Sequence, residues 1–291
     1  MQLIFRFGFL KLQNITLALS DWQYGLLILA TITIAAGGYI INSVFDVETD
    51  TVNTPEKVII GKTISETKAY NLYAVFTIIG VGIGFYLSNA INKPSFASLF
   101  IIIAITLYFY TTSLKQSLLI GNIIVALLLS ISIIIIGIFD LYPVTYIENR
   151  SVMGLLFKIL LDYAIFAFII NFIREIVKDL EDINGDSQQE MNTLPIVLGI
   201  NKTTKLVFGL SFIPIICLLR YINTYVFANN LMISTLFGLV FIVAPLIYFT
   251  TKIWSAKTKN DFHHLSSILK WILFFGIVSI AIISLNLKYN A

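Results

Sequence analysis

The chain has 291 residues, of which 58% are hydrophobic and 12% charged, and its mean hydropathy is +0.89. Soluble domains carry about 25% charged residues, so this composition excludes a soluble globular protein. The formal net charge of +3 reflects basic residues at the ends of apolar runs rather than a nucleic-acid-binding surface. One cysteine, Cys217, excludes a disulfide within the chain and a cysteine-based metal site.

In chain order, residues 22–47, 69–92, 94–114, 116–139, 206–219 and 221–251 contain no Asp, Glu, Lys or Arg except Asp46. A bilayer span takes about 20 apolar residues, and most of these runs are long enough. Hydrophobic runs and charged interruptions together predict about nine helices, near 3–19, 22–45, 66–88, 95–113, 117–138, 153–177, 203–222, 230–250 and 267–286. The first carries Arg6 and Lys11 and lacks a clean small-residue cleavage site, so it reads as a mature helix rather than a signal peptide. No polar domain interrupts the series. The expected fold is all-α: one polytopic transmembrane domain over 1–291, with pseudo-repeated halves of about 1–138 and 139–291.

The repeat shows in two polar stretches. One helix leads into "NSVFDVETD" (42–50) and a later one into "DLEDINGD" (179–186), each followed by a polar loop with a proline, a short apolar stretch and a glycine. Asn42, Asp46 and Asp50 stand at i, i+4 and i+8; Asp179, Asp182 and Asp186 stand at i, i+3 and i+7, and Glu175 lies one turn earlier. Either spacing lines one helical face. Carboxylates crowded at a bilayer boundary repel one another and are costly. A hard divalent cation removes that cost, and Mg²⁺ favours one or two carboxylates together with substrate phosphates. Two such faces across a shared central cavity, open to the cytoplasm and the membrane, would hold Mg²⁺ at two sites and grip a diphosphate. Internally repeated membrane folds provide such paired half-sites.

The bases supply the complement. Lys57, Lys62, Lys115 and Lys178 are expected on the acidic side, and Lys115 lies in the short connector of "YFYTTSLKQSLLIGN" (108–122). A cation there neutralises charge on a departing diphosphate. Placing Arg6 and Lys11 on that side as well gives fourteen basic residues against five, which makes it the cytoplasmic side by the positive-inside rule. Lys158 and Asp162, four apart on one helix, are expected to pair with each other near the opposite end. His263 and His264 lack metal-ligand spacing and read as solvated. Tyr108 and Tyr110 are candidates to shield a carbocation by cation–π contact.

With both acidic stretches in hand, the chain resembles the UbiA superfamily of intramembrane prenyltransferases over nearly its whole length. Asn42-Ser-Val-Phe-Asp46-Val-Glu-Thr-Asp50 is similar to the family's N-x-x-x-D-x-x-x-D, and Asp179 to Asp186 to its second aspartate motif, followed by "TLPIVLG" (193–199). The resemblance implies Mg²⁺-dependent prenyl transfer from a polyprenyl diphosphate to a lipophilic acceptor. Asn42, Asp46 and Asp50 would bind one ion, and Asp179, Asp182 and Asp186 the other, with Asp186 also near the substrate. Lys57 and Lys115 would contact phosphate oxygens. "REIVKDLEDINGD" (174–186) is similar to the digeranylgeranylglyceryl phosphate synthase branch, whose acceptor is a glycerol-phosphate ether lipid. On charge, Arg174 and Lys178 would hold that acceptor's phosphate. The membrane would be a bacterial or archaeal cytoplasmic one. Ser43 and Thr54 depart from the family pattern, where an acid and an arginine are common. Competing readings are prenylation of a quinone precursor (dihydroxynaphthoate or 4-hydroxybenzoate), a cation-coupled transporter, and a lipid-binding homologue without turnover.

Overall fold

The computed structural model describes residues 1–56 and 58–290. Eight helical segments among them are long and apolar enough to span a bilayer. The short helix α1 (Gln2–Phe5) continues through a π turn (Arg6–Leu10) and a 3-10 turn (Lys11–Gln13). It stops where Asn14 adopts the left-handed conformation, φ 53°, a helix-ending geometry that asparagine tolerates. The expected helix to residue 19 therefore ends early. Next come α2 (Asp21–Phe45), α3 (Val47–Asn53), α4 (Glu66–Ala90), α5 (Ala97–Thr112) and α6 (Ile120–Ile136). The second half holds α7 (Arg150–Gln188), α8 (Leu194–Leu198), α9 (Ile200–Tyr221), α10 (Met232–Gly238), α11 (Ala244–Ile253) and α12 (Lys259–Asn290).

Local chemistry sets the starts. Ser20 and Gln23 form a capping box at α2, with Asp21 in its first turn. Ser65 accepts from the Lys68 amide at α4, where Glu66 opens the helix. Both arrangements satisfy orphan backbone N–H groups and complement the helix dipole. In lipid, helix association depends on close packing, which small residues permit. A Cβ at Gly80 of α4 would lie 2.5 Å from Ile34 of α2, so only glycine allows that contact.

α7 is the spine. At 39 residues it is about 58 Å long and passes from one apolar core to the other. Leu156, Leu160 and Ala164 belong to a core with α1, α2 and α6, whereas Ile170, Ile173 and Leu180 belong to one with α9, α11 and α12. Many large apolar side chains remain exposed on the outside, Ile78, Ile102 and Ile216 among them, as lipid contact requires.

The N-terminal segment corrects one expectation. Arg6 is 1% exposed and ion-pairs with Asp140 in the π turn (Gly137–Leu141) that follows α6. Its Nη2 donates to the Leu19 carbonyl at 2.6 Å and to Asp21 at 3.0 Å. The guanidinium lies over the Tyr24 ring, 4.4 Å from its centroid, and Lys11 also pairs with Asp21. Asp21 and Asp140 mark the bundle end opposite Asp46, so Arg6 and Lys11 belong there. Moving these two residues changes the expected fourteen against five into twelve against seven.

Candidate active site

The first acidic face spans a break. α2 ends at Asp46, whose ψ of 2° leaves the helical range, and α3 restarts at Val47. The backbone spacing survives: the Asp46 amide bonds to the Asn42 carbonyl at 2.9 Å, and the Asp50 amide to the Asp46 carbonyl at 2.7 Å. The Asn42 side-chain amide donates to Asp46 Oδ2 at 2.5 Å, and Asp46 is 6% exposed. Asn42 Oδ1 is buried without a hydrogen-bond partner. Ser43 turns away, its hydroxyl donating to the Tyr39 carbonyl at 2.9 Å.

The second face is uninterrupted. Sequence periodicity ended this helix near 177, but α7 runs to Gln188, so Asp179, Asp182 and Asp186 share one rigid face. Asn122 of α6 donates to Asp179 Oδ2 at 2.8 Å. Glu175 is 8% exposed and is held by Arg174 at 3.1 Å and Lys178 at 3.5 Å.

The two faces meet. Asp186 has Asp182, Lys115 and Asp46 as charged neighbours, and Asp182 has Lys178, Lys259 and Lys115. The Tyr110 phenol interacts with Glu175, Asp46, Asp179 and Asp186. Lys115, carried by the 3-10 turn Leu114–Gln116, forms an ion pair with Asp46. Its connector is tied to the loop after α7 by the Asn192 amide, which donates to the Gln116 carbonyl at 3.1 Å. Lys57 lies outside the described residues.

Asn53, at the end of α3, staples the faces together. Its side chain donates to the Asp182 carbonyl and accepts from the Gly185 amide, both at 3.0 Å. Lys259, at the start of α12, donates to the Asn53 carbonyl at 2.5 Å. A Cβ on Gly185 would lie 2.4 Å from Asn53 Nδ2, so the staple requires glycine. Sequence reasoning missed Asn53, Asn122 and Lys259. The first two stand beside quoted motifs, three residues after Asp50 and at the end of the Lys115 stretch, and an extended helical register was the available signal. Lys259 was placed only among the basic residues of the acidic side, since α12 starts eight residues before the expected 267.

Two peripheral expectations change. Lys158 bonds to Tyr225 Oη at 2.9 Å instead of pairing with Asp162, because that tyrosine, in the π turn (Ile222–Val226) after α9, offers both an acceptor and a ring face. His263 Nδ1 meets Glu181 Oε1 at 2.8 Å, though it stays largely exposed.

The donor set suits a hard cation: carboxylate oxygens plus the orphaned Asn42 Oδ1, with no sulfur and no imidazole among these positions. Among the described residues no three Asp, Glu, His or Cys side chains converge into a cage of their own. An ion held here would therefore complete its shell with phosphate or water oxygens.

The UbiA prenyltransferase family model matches residues 13–282. A digeranylgeranylglyceryl phosphate synthase of Sulfurisphaera tokodaii is 34% identical over 224 residues, covering 76% of this chain and 73% of the relative. The synthase of the same name from Saccharolobus solfataricus is 35% identical over 192 residues, covering 64% of this chain and 62% of the relative. A UbiA homologue from Archaeoglobus fulgidus, solved with DMAPP and Mg²⁺, superposes with a TM-score of 0.58 over 90% of this chain and 88% of its own. Its 15% identity makes that a likeness of fold. The matched length, the paired acidic helices and the spanning bundle together establish that the chain belongs to the UbiA prenyltransferase family.

Proposed function

We propose that this chain transfers a prenyl group, in Mg²⁺-dependent fashion, from a polyprenyl diphosphate (geranylgeranyl diphosphate) to the hydroxyl of a glycerol-phosphate ether lipid. The observation that carries the reading is the meeting of two acidic helices from opposite halves of the chain around Lys115. The synthase-named relatives support the acceptor class, and the Archaeoglobus homologue with DMAPP and Mg²⁺ supports the donor class and the metal.

In this reading 1–291 is one catalytic domain and each half supplies one metal-binding face: Asn42, Asp46 and Asp50, and Asp179, Asp182 and Asp186. Bound Mg²⁺ supplies positive charge that stabilises the leaving diphosphate. Lys115 transfers from Asp46 to diphosphate oxygens, joined by Lys57, and so favours breaking of the allylic C–O bond. The acceptor oxygen then bonds to the freed allylic carbon and gives its proton to the departed diphosphate. Tyr110, whose phenol lies among these carboxylates, would shield the cation with its ring. Arg174 and Lys178 bind the acceptor's phosphate. Twelve basic residues against seven set the acidic side toward the cytoplasm of an archaeal or bacterial membrane.

The test uses purified protein in lipid, Mg²⁺ and labelled geranylgeranyl diphosphate. Geranylgeranylglyceryl phosphate, dihydroxynaphthoate and 4-hydroxybenzoate are offered separately. A doubly prenylated glycerol phosphate is the expected product. A prenylated ring replaces the acceptor assignment, and absence of diphosphate release with every acceptor overturns the reading.

A further inference from the structure

The bundle end remote from the acidic helices contains a cavity of its own. α7, α9, α10 and α12 surround an apolar space of about 250 Å³ bordered by Ile169, Cys217, Ile242 and Gly276. It adjoins a second space of about 400 Å³, lined by Lys158, Tyr225 and Asn229. Asp162, Tyr163 and Tyr221 border both, so the two form one passage, with the charged groups at its mouth and apolar side chains beyond them. Asp162 precedes Asp179 by seventeen residues of one helix, about 25 Å, which separates this passage from the diphosphate site.

The mouth is chemically unfinished. Lys158 Nζ bonds to Tyr225 Oη at 2.9 Å and stands over that ring, 4.8 Å from its centroid. Asp162 feels Lys158 electrostatically, yet among the described residues its carboxylate has no hydrogen-bond partner. A carboxylate bordering an apolar space inside a membrane protein is costly unless something donates to it. Lys158 and Asp162 put opposite charges one helical turn apart, so neither a phosphate nor a quaternary ammonium gains much there. Adjacent hydroxyls do better, since each can donate to Asp162 while accepting from Lys158 or Asn229. The apolar depth then takes a single chain. We infer that this passage binds a neutral single-chain amphiphile with a glycerol-type diol head, its chain directed toward Gly276. The inference is independent of the prenyl-transfer reading.

Cys217 is the chain's one cysteine, is exposed and borders the apolar depth, so its alkylation by a small apolar maleimide reports occupancy in the unmodified protein. In phosphatidylcholine nanodiscs, 1-O-hexadecylglycerol should slow that alkylation saturably by about fivefold or more, whereas hexadecyl phosphate and hexadecyltrimethylammonium slow it by less than about twofold. Asp162→Leu should abolish the protection. A Cβ at Gly276 meets nothing nearer than Phe166, at 3.7 Å, so Gly276→Leu should fill the space and slow alkylation without any amphiphile. Lys158→Gln, a surface change, should weaken protection even if the two internal variants do not fold. All three should retain diphosphate release within about twofold when folded. Absence of protection by the alkylglycerol overturns the site. Equal protection by all three amphiphiles, or protection that survives Asp162→Leu and Lys158→Gln, overturns the assigned head group.

Discussion

The two acidic faces look alike in sequence and are built differently. Asp179, Asp182 and Asp186 ride on an unbroken helix of 39 residues that packs into both apolar cores. Asn42, Asp46 and Asp50 straddle a joint, with Asp50 on a separate helix of seven residues. Such a short helix has no independent stability. Its position comes from the Asn53 staple to α7 and from Lys259. One half-site is thus a fixed ruler, and the other is adjusted against it. Since misplacement by about 1 Å can cost roughly 100-fold in rate, the staple matters as much as the carboxylates it aligns.

Removing a carboxylate from either half should erase the difference between them. Asp46→Ala and Asp182→Ala are each expected to lower turnover by about 10³-fold or more, measured as diphosphate release at saturating Mg²⁺. Activity within tenfold of wild type in either variant would refute the metal assignment. Gly185→Ala keeps every carboxylate but drives a methyl group into the Asn53 side chain, which must leave its place between the faces, and should cost about 100-fold. Its apparent Mg²⁺ requirement should rise as well, a readout that general loss of fold would not give. Asn53→Ala opens the staple without wedging it and should cost about tenfold, with the same rise in Mg²⁺ requirement. If Asn53→Ala proved as severe as Asp46→Ala, Asn53 would belong among the ligands rather than the positioning groups. Ser43→Ala should change turnover by less than about twofold, because the hydroxyl is committed to the Tyr39 carbonyl of its own helix.

Much of this was legible in the sequence where the physics is local. Uncharged runs give the spans, and the spacing of Asp46 and Asp50, or of Asp179 and Asp186, gives a shared face from helical geometry alone. Contacts that depend on distant segments were not legible. Asn122 reaches Asp179 across 57 residues and Asn53 reaches Asp182 across 129. The pairing expected between Lys158 and Asp162 failed because Tyr225, 67 residues away, supplies a competing acceptor. Arg6 and Lys11 were assigned to the wrong end because the course of the first segment depends on a turn at Asn14 and on a buried partner, Asp140, 134 residues away. Hydropathy says that a segment is apolar, not which way it points.

The ion pair between Lys115 and Asp46 carries a thermodynamic consequence. On the proposed reading, the lysine's charge beside Asp46 disfavours a second cation there, so a metal ion gains Asp46 more readily once the lysine turns away. A diphosphate offers that lysine a new partner. The donor therefore raises the metal's affinity, and reciprocity requires the metal to raise the donor's by the same factor. Occupancy becomes close to joint: neither ligand binds well alone, and a bare diphosphate is not held in position to ionise. The pair works as an AND gate set at the membrane surface.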